Sequence, residues 1–264
     1  MLHWTEDKDM EVDLNADMGE SFGPWKMGDD AALLNTVTSA NIACGAHAGD
    51  PDVMATTMSI ALEQGVGIGS HPGFADIQGF GRRRIDMPLK SLQNSIRCQV
   101  GATLGMANAL GAQVRHIKLH GALGNMTSED EDMARACYEA ALSAHPGAII
   151  MVLAATAQER AARSIGATFA CEIFADRAYN DDATLVDRRK PGAIIHDAEI
   201  AGKRMVEMVK AQAIITDSGK RIETPIDTIC CHGDTPEAVE IAASVRRTLE
   251  AEGITVKAFD GRTG

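Results

Sequence analysis

The stretch VDLNADMGE, residues 12–20, decides the fold. Its apolar start belongs to a strand over Glu11 to Leu14, after which Asn15, Asp17 and Glu20 gather around Gly19. An apolar strand running into polar residues and a glycine is the pattern of a parallel α/β sheet, where ligand-binding residues sit past the carboxyl ends of strands. The pattern recurs. Asn41, His47 and Asp50 follow the second strand, His71 the third, and Lys118 and His120 the next; Glu172, Asp176 and Arg177 lie at another, and His232 and Asp234 end the series. In a closed parallel barrel all such ends open on one face, so residues remote in sequence converge on one pocket. A single histidine at a strand end is more often a hydrogen-bonded packing residue, but six clusters at one edge point to a shared site.

Further strands are expected over Ser39 to Ala43, Val66 to Gly69, His116 to Leu119, Ile149 to Leu153, Phe169 to Phe174, Ala213 to Ile215, Ile226 to Cys231 and Ile254 to Phe259. Amphipathic helices fill the intervals. One has Asp50 as N-cap, Pro51 at its first position, an apolar stripe of Met54, Met58, Ala61 and Leu62, and Gly65 past its end. Another runs from Pro88 to Leu110; Ser128 with Glu131 reads as a capping box, and Pro236 opens the last long helix, which Gly253 closes. Alternating strands and helices over 264 residues, with no linker and no repeat, read as one (β/α) barrel domain spanning 1–264.

Composition narrows the function. A net charge of −12 argues against nucleic acid, whose phosphates demand a basic face. No apolar run approaches bilayer length and the first residues lack an apolar leader core, so the reading is a cytoplasmic protein that takes a small molecule, away from membranes. The six cysteines show no C-x-x-C pairing and sit mostly in apolar runs, as reduced packing thiols do; Cys44 and Cys231, each near a histidine, are the two that could act as nucleophiles.

Asp17, His47 and His71 could hold a divalent ion, since imidazole and carboxylate are usual ligands, but their spacing does not demand one. Neither G-x-G-x-x-G nor a P-loop is present, so any nucleotide would rely on loop amides and on Lys118, Arg82, Arg83 or Arg177. The segment from Glu172 to Arg189 is long and polar, and reads as a functional loop or lid.

The blocks VDLNADMGESFG (12–23), NIACGAHAGDP (41–51), GSHPGF (69–74) with GFGRR (79–83), KLHGALGN (118–125), FADRAY (174–179) and CHGD (231–234), in this order, closely resemble the LamB/YcsF family of 5-oxoprolinase A subunits. Family members usually have proline and tyrosine where this chain has Leu119 and Gly124, and D-G-x-L-V where it has Asp182 to Val186 with Ala183 second. The resemblance implies a variant TIM-like barrel related to the glycoside hydrolase/deacetylase superfamily. It also implies ATP-dependent opening of 5-oxo-L-proline to L-glutamate with partner subunits B and C. On that basis Asp17 and His71 are expected to activate or orient water, and Lys118, His120 and Arg177 to meet developing negative charge; Asn15, Asn41, His47, Glu172, His232 and Asp234 would orient substrate or catalytic side chains. Two other readings stand beside it. One is a metal-dependent amide hydrolase or deacetylase that needs no ATP; the other is a non-catalytic substrate-binding subunit of a larger lactam-hydrolysing complex.

Overall fold

Residues of alternating character along the first strand divide the molecule into a polar axis and an apolar shell. In the computed structural model, which describes residues 10–232 and 237–263, the elements run β1 (Glu11–Met18), α1 (Asp30–Leu34), β2 (Ser39–Ala43), α2 (Pro51–Glu63), β3 (Gly67–His71), α3 (Leu89–Ala109), β4 (Val114–Lys118), α4 (Gly121–Glu129) and α5 (Glu131–Ala144). They continue as β5 (Ile149–Leu153), α6 (Ala157–Ser164), β6 (Thr168–Phe174), α7 (Ala198–Ala211), β7 (Ala213–Ile215), β8 (Arg221–Glu223), β9 (Thr228–Cys231), α8 (Ala238–Ala251), β10 (Thr255–Val256) and β11 (Arg262–Thr263). Strands β1 to β6 pair in sequence order and β9 pairs with both β6 and β1, closing a parallel barrel of seven strands.

Side chains alternate across each strand. Leu14, Ala16, Ile42, Ile68, Ile117, Ile150, Val152 and Ile229 belong to one large buried cluster that also holds the helix residues Met58, Ile96, Val100, Cys137 and Val245. Burying each large aliphatic side chain there contributes about 1.5–3 kcal/mol. The opposite set points into the barrel and is polar: Asp13, Asn15, Asp17, Ser39, Asn41, His71, His116, Lys118, Glu172 and Thr228 are all buried. A TIM barrel is usually filled by branched aliphatic layers; here the filling is hydrogen-bonded. Thr228 donates to Asp13 and receives from Asn15 Nδ2 at 2.7 Å, Asn41 Nδ2 donates to Asn15 Oδ1 at 2.7 Å, and His116 Nε2 donates to Asn41 Oδ1 at 2.7 Å. The His116 ring occupies the space over Gly69, beside which the register between β3 and β4 shifts.

Two expected barrel strands lie elsewhere. Ala213–Ile215 pairs antiparallel with Arg221–Glu223 in a separate ribbon, and the expected Ile254 to Phe259 strand shortens to Thr255–Val256, which flanks the start of β1. Strand β11 pairs antiparallel with the start of β6. The C-terminal chain thus seals the lower end, with Phe259 packed on Met151 and Ala170 and its carbonyl accepting from Arg115 Nη2 at 2.7 Å.

Helix caps follow the sequence in part. Asp50 Oδ1 accepts from Asp52 N and Val53 N, each at 2.9 Å, Pro51 takes the first position of α2, and Gly65 turns with φ +69°. Leu62, assigned to the buried stripe, is 46% exposed because it faces away from the core. Ser128 lies inside α4 and donates to Asn125 O at 2.7 Å; the cap of α5 is Asp130, which accepts from Met133 N at 3.0 Å. Helix α3 covers the expected span to within a residue at each end. Pro236 lies outside the described residues. Among the described residues no helix is long and apolar enough to cross a membrane.

Candidate active site

The upper mouth of the barrel opens into a pocket of about 730 Å³ floored by Asp17, Glu20, His71, Lys118, His120 and Glu172. Asp17 sits near the end of β1, His71 ends β3, Lys118 ends β4, and Glu172 lies in β6 one residue pair below its end. Residues from four separate strands therefore meet at one place, as the clustering of polar residues at strand ends predicted. Asn15 and Asn41 lie one layer deeper, beneath the floor. Asn41 Nδ2 donates to Asp17 Oδ1 at 2.9 Å and so fixes that carboxylate from below.

Lys118 is the hub. Its Nζ stands 3.0 Å from Asp17 Oδ1, 2.7 Å from Glu172 Oε1, 3.3 Å from Asn15 Oδ1 and 3.0 Å from Cys230 Sγ. Burial works against its charge, but Asp17, Cys230 and Glu172 outweigh it and hold the ammonium well above the usual lysine range. The two carboxyls are driven apart. Burial would raise Asp17, yet its contacts with His71 and Lys118 keep it well below the usual range. Burial dominates at Glu172 and leaves it raised despite Lys118. One carboxylate firmly ionised beside one inclined to hold a proton is an arrangement suited to acid–base work.

Next to this triad lie three histidines. His71 Nε2 is 3.0 Å from His120 Nδ1 and 3.4 Å from Asp17 Oδ2; the His47 and His120 rings stack at 3.6 Å, and Glu20 Oε1 lies 3.7 Å from both His47 Nε2 and His120 Nδ1. Burial, then the neighbouring rings, lowers His47 and His120 well below the usual imidazole value. Gly19, with φ +68°, turns the chain so that Glu20 folds back toward these rings. Glu20, His47, His71 and His120 bring one ligand atom each to within 4.8 Å of one another. Asp17, expected as a ligand with His47 and His71, lies beside this group, held by Lys118 and Asn41.

The far wall comes from the segment after β6. Arg177 is buried, donates from Nη2 to Val186 O at 2.6 Å, and has an Nε with no hydrogen-bond partner among the described residues; burial and Arg188 lower it to about 10. His232 Nδ1 contacts both Asp176 oxygens at 2.7 Å, and its Nε2 meets Arg188 Nη2 at 2.7 Å. Residues 184–190 line the pocket, so the expected functional loop forms a wall of the site. Asp234 lies outside the described residues. Arg83 pairs with Asp76 and Arg84 binds Glu129 through two bonds of 2.9 and 2.8 Å, while Arg82 lines the pocket with its guanidinium 4.8 Å from the Phe80 ring centre. Cys44 and Cys231 are buried, and burial pushes both thiols up, so neither is an activated nucleophile.

The sequence pattern counted Glu20 among the strand-end residues without a role of its own, and passed over His116. Both had a signal: His116 stands two residues before Lys118 on a strand, hence on the same inward face, and Glu20 follows a glycine at a strand end.

The LamB/YcsF family model matches residues 12–264. The chain belongs to that family. The A subunit of 5-oxoprolinase from Ruegeria pomeroyi is 67% identical to this LamB/YcsF chain over 249 residues, covering 94% of it and 98% of the relative. The crystal structure of the Lactam Utilization Protein from Thermus thermophilus superposes with a TM-score of 0.88 at 38% identity, over 95% of this chain and all of the other. A structure described as T48 deacetylase with substrate shares the fold at a TM-score of 0.51 and 12% identity, covering 97% and 94%. The expected deacetylase-like barrel is therefore the fold of this LamB/YcsF protein. At Ala183, where the family pattern has glycine, the backbone takes φ +70°, a conformation that costs an alanine about 1 kcal/mol or more.

Proposed function

We propose that this chain is the A subunit of an ATP-dependent 5-oxoprolinase, which opens 5-oxo-L-proline to L-glutamate together with partner subunits B and C. The observation carrying this reading is its 67% identity, over nearly the whole length, to a protein of that name. Its six cysteines are all unpaired, in keeping with a single domain working in the reducing cytoplasm.

The pocket chemistry supports the same conclusion. A lactam carbon is a poor electrophile, and an opened five-membered ring recloses readily, so the reaction needs an outside source of free energy. Transfer of the ATP γ-phosphoryl group to the lactam oxygen, with ADP leaving, activates that carbon. Water then adds there, the C–N bond breaks as nitrogen takes a proton, and a second water releases phosphate. On this reading Glu172, the carboxyl with the raised affinity for protons, carries the proton between water and the departing nitrogen. Lys118 neutralises the oxyanion, Asp17 orients water and Lys118, and His71 and His120 flank the attacking side. Arg177 and Arg82 meet the substrate carboxylate or phosphoryl oxygens. A pocket of about 730 Å³ exceeds the needs of a small lactam and leaves room for a second reactant.

The test is reconstitution. Chain plus partner subunits, 5-oxoproline and ATP should give glutamate and phosphate in equal amounts, and no glutamate from the complete mixture refutes the reading. The convergent group of one glutamate and three histidines favours a second reading, a metal-dependent amide hydrolase. Turnover without ATP that a chelator abolishes would establish it. Ligand binding with no turnover under any condition would instead mark a non-catalytic subunit.

A further inference from the structure

We infer that Glu20, His47, His71 and His120 form a binding site for one divalent first-row transition ion, zinc before the others. Hydrogen bonds to carbonyls fix where the ring protons lie. His71 Nδ1 faces the carbonyl of Lys118 at 2.9 Å and His120 Nε2 faces the carbonyl of Phe80 at 2.9 Å. A carbonyl only accepts, so each of those nitrogens carries the hydrogen. In neutral rings the opposite nitrogens, His71 Nε2 and His120 Nδ1, then have bare lone pairs, and these confront each other at 3.0 Å. Asp17 Oδ2 lies 3.4 Å from the first of them and Glu20 Oε1 3.7 Å from the second, adding acceptors and no donor.

A bound cation reconciles this convergence. A proton shared between His71 and His120 would settle that pair, but it leaves His47, which is fully buried and has, among the described residues, no hydrogen-bond partner on either nitrogen. His47 Nε2 lies 3.7 Å from the same Glu20 oxygen. A tetrahedral zinc with bonds of about 2.0–2.1 Å separates its ligand atoms by roughly 3.3–3.4 Å. The observed 3.0, 3.7 and 3.7 Å bracket that spacing. Carbonyls holding the outer ring N–H groups are the usual support of metal-bound histidines.

The surrounding backbone is shaped to hold the rings. A Cβ on Gly73 would come 2.9 Å from His47 Nδ1, and one on Gly81 would come 2.8 Å from both His47 Cβ and His120 Cδ2. Because Glu20, His71 and His120 line the pocket, the ion would sit in its wall, beside Asp17 and Lys118. There it would supply a Lewis acid to whatever oxygen the pocket holds.

This inference rests on ring geometry and not on the ring-opening reading; metal uptake is measured without lactam or ATP, so either can fail alone. The tag-free wild-type chain is stripped with a chelator, checked for folding by circular dichroism, and titrated with Zn(II) and Co(II). Calorimetry and elemental analysis should show one ion per chain, and the Co(II) form should show the intense visible bands of a low-symmetry imidazole–carboxylate site. Glu20→Gln and His71→Ala should each weaken uptake by ~100-fold or more, whereas His145→Gln, at a histidine whose ring meets the Val114 carbonyl outside the pocket, should not. Folded wild-type protein that takes up less than ~0.1 equivalent of Zn(II), Co(II), Mn(II) or Fe(II) overturns the proposal. So does uptake that is unchanged in both ligand variants.

Discussion

His116 lies against Gly69 so closely that a Cβ on the glycine would stand 2.1 Å from the ring's Nε2. Nothing larger than hydrogen fits between β3 and this ring inside the closed barrel. Gly69→Ala should therefore push His116 off Asn41 and cost about 3 kcal/mol, from overpacking plus a broken buried hydrogen bond. For a chain of this length the melting temperature should fall by roughly 6–12 °C. If the contact is the cause, adding His116→Ala to Gly69→Ala recovers part of the loss. Strictly additive losses in thermal melts would show that the strain lies elsewhere.

Lys118 stands between two buried carboxyls, and Lys118→Met removes their only shared cation among the described residues. Breaking such a pair costs about 3–5 kcal/mol. The cost should depend on pH in a stated direction. Without the ammonium, the folded pKa values of Asp17 and Glu172 rise, and a raised carboxyl contributes stability at low pH that is lost as pH increases. The variant should thus be closest to wild type near pH ~5 and weakest near pH ~8 in urea titrations, and its turnover should drop by at least ~1000-fold. A stability loss that grows toward acid contradicts this account.

Acid sensitivity of the wild type should come from buried neutral imidazole. Burial, then Arg115, lowers His116 to about 3, so it stays uncharged in the fold while the unfolded chain takes up a proton below ~6.5. Stability falls as pH drops through that window. At pH ~5 the loss is about 2 kcal/mol, from roughly 1.5 units at about 1.36 kcal/mol each. Asp13 opposes it: burial raises its carboxyl to about 6, and its contribution, present at low pH, is lost as pH rises through 6. Asp13→Asn should therefore make the decline between pH ~7 and pH ~5 steeper, and His116→Asn should make it shallower, in denaturant midpoints measured at both values.

Arg177 ties the pocket wall to the site through its bond to the Val186 carbonyl. Arg177→Lys keeps a charge but loses the planar fork, so kcat/KM should fall by about 10–100-fold. The same change should release residues 184–190, which limited proteolysis would detect as a new cleavage in that segment. Loss of activity with an unaltered proteolytic pattern would separate the two roles of the side chain.

Local chemistry made much of the fold legible. Strands at Ser39–Ala43 and Ile149–Leu153 fall where their apolar runs lie, and α3 stops within a residue of its expected ends, because period, caps and glycines act over a few residues. A closed barrel was legible, but not which strand closes it. That β9 returns to β1, and that Ala213–Ile215 does not, depends on partners some two hundred residues apart in sequence. The Ser128–Glu131 pattern misled because α4 and α5 abut, and Asp130 between them is the better cap. At the site, Asp17, His71, Lys118 and Glu172 were found as strand-end residues. The inclusion of Glu20 with the histidines needed the turn at Gly19, and the depth of Asn15 and Asn41 needed strand alternation carried two residues further down.

That alternation makes β1 unusually intolerant of one kind of change. Asp13, Asn15 and Asp17 face the axis, while Leu14, Ala16 and Met18 face the helices. Substitutions act on one side or the other, but inserting or deleting a single residue within Val12 to Met18 exchanges the two sets. Acids would then be driven among the helices and oil into the catalytic mouth. Gene libraries that scan this segment should therefore accept apolar replacements of similar size at Met18 while rejecting every change of length.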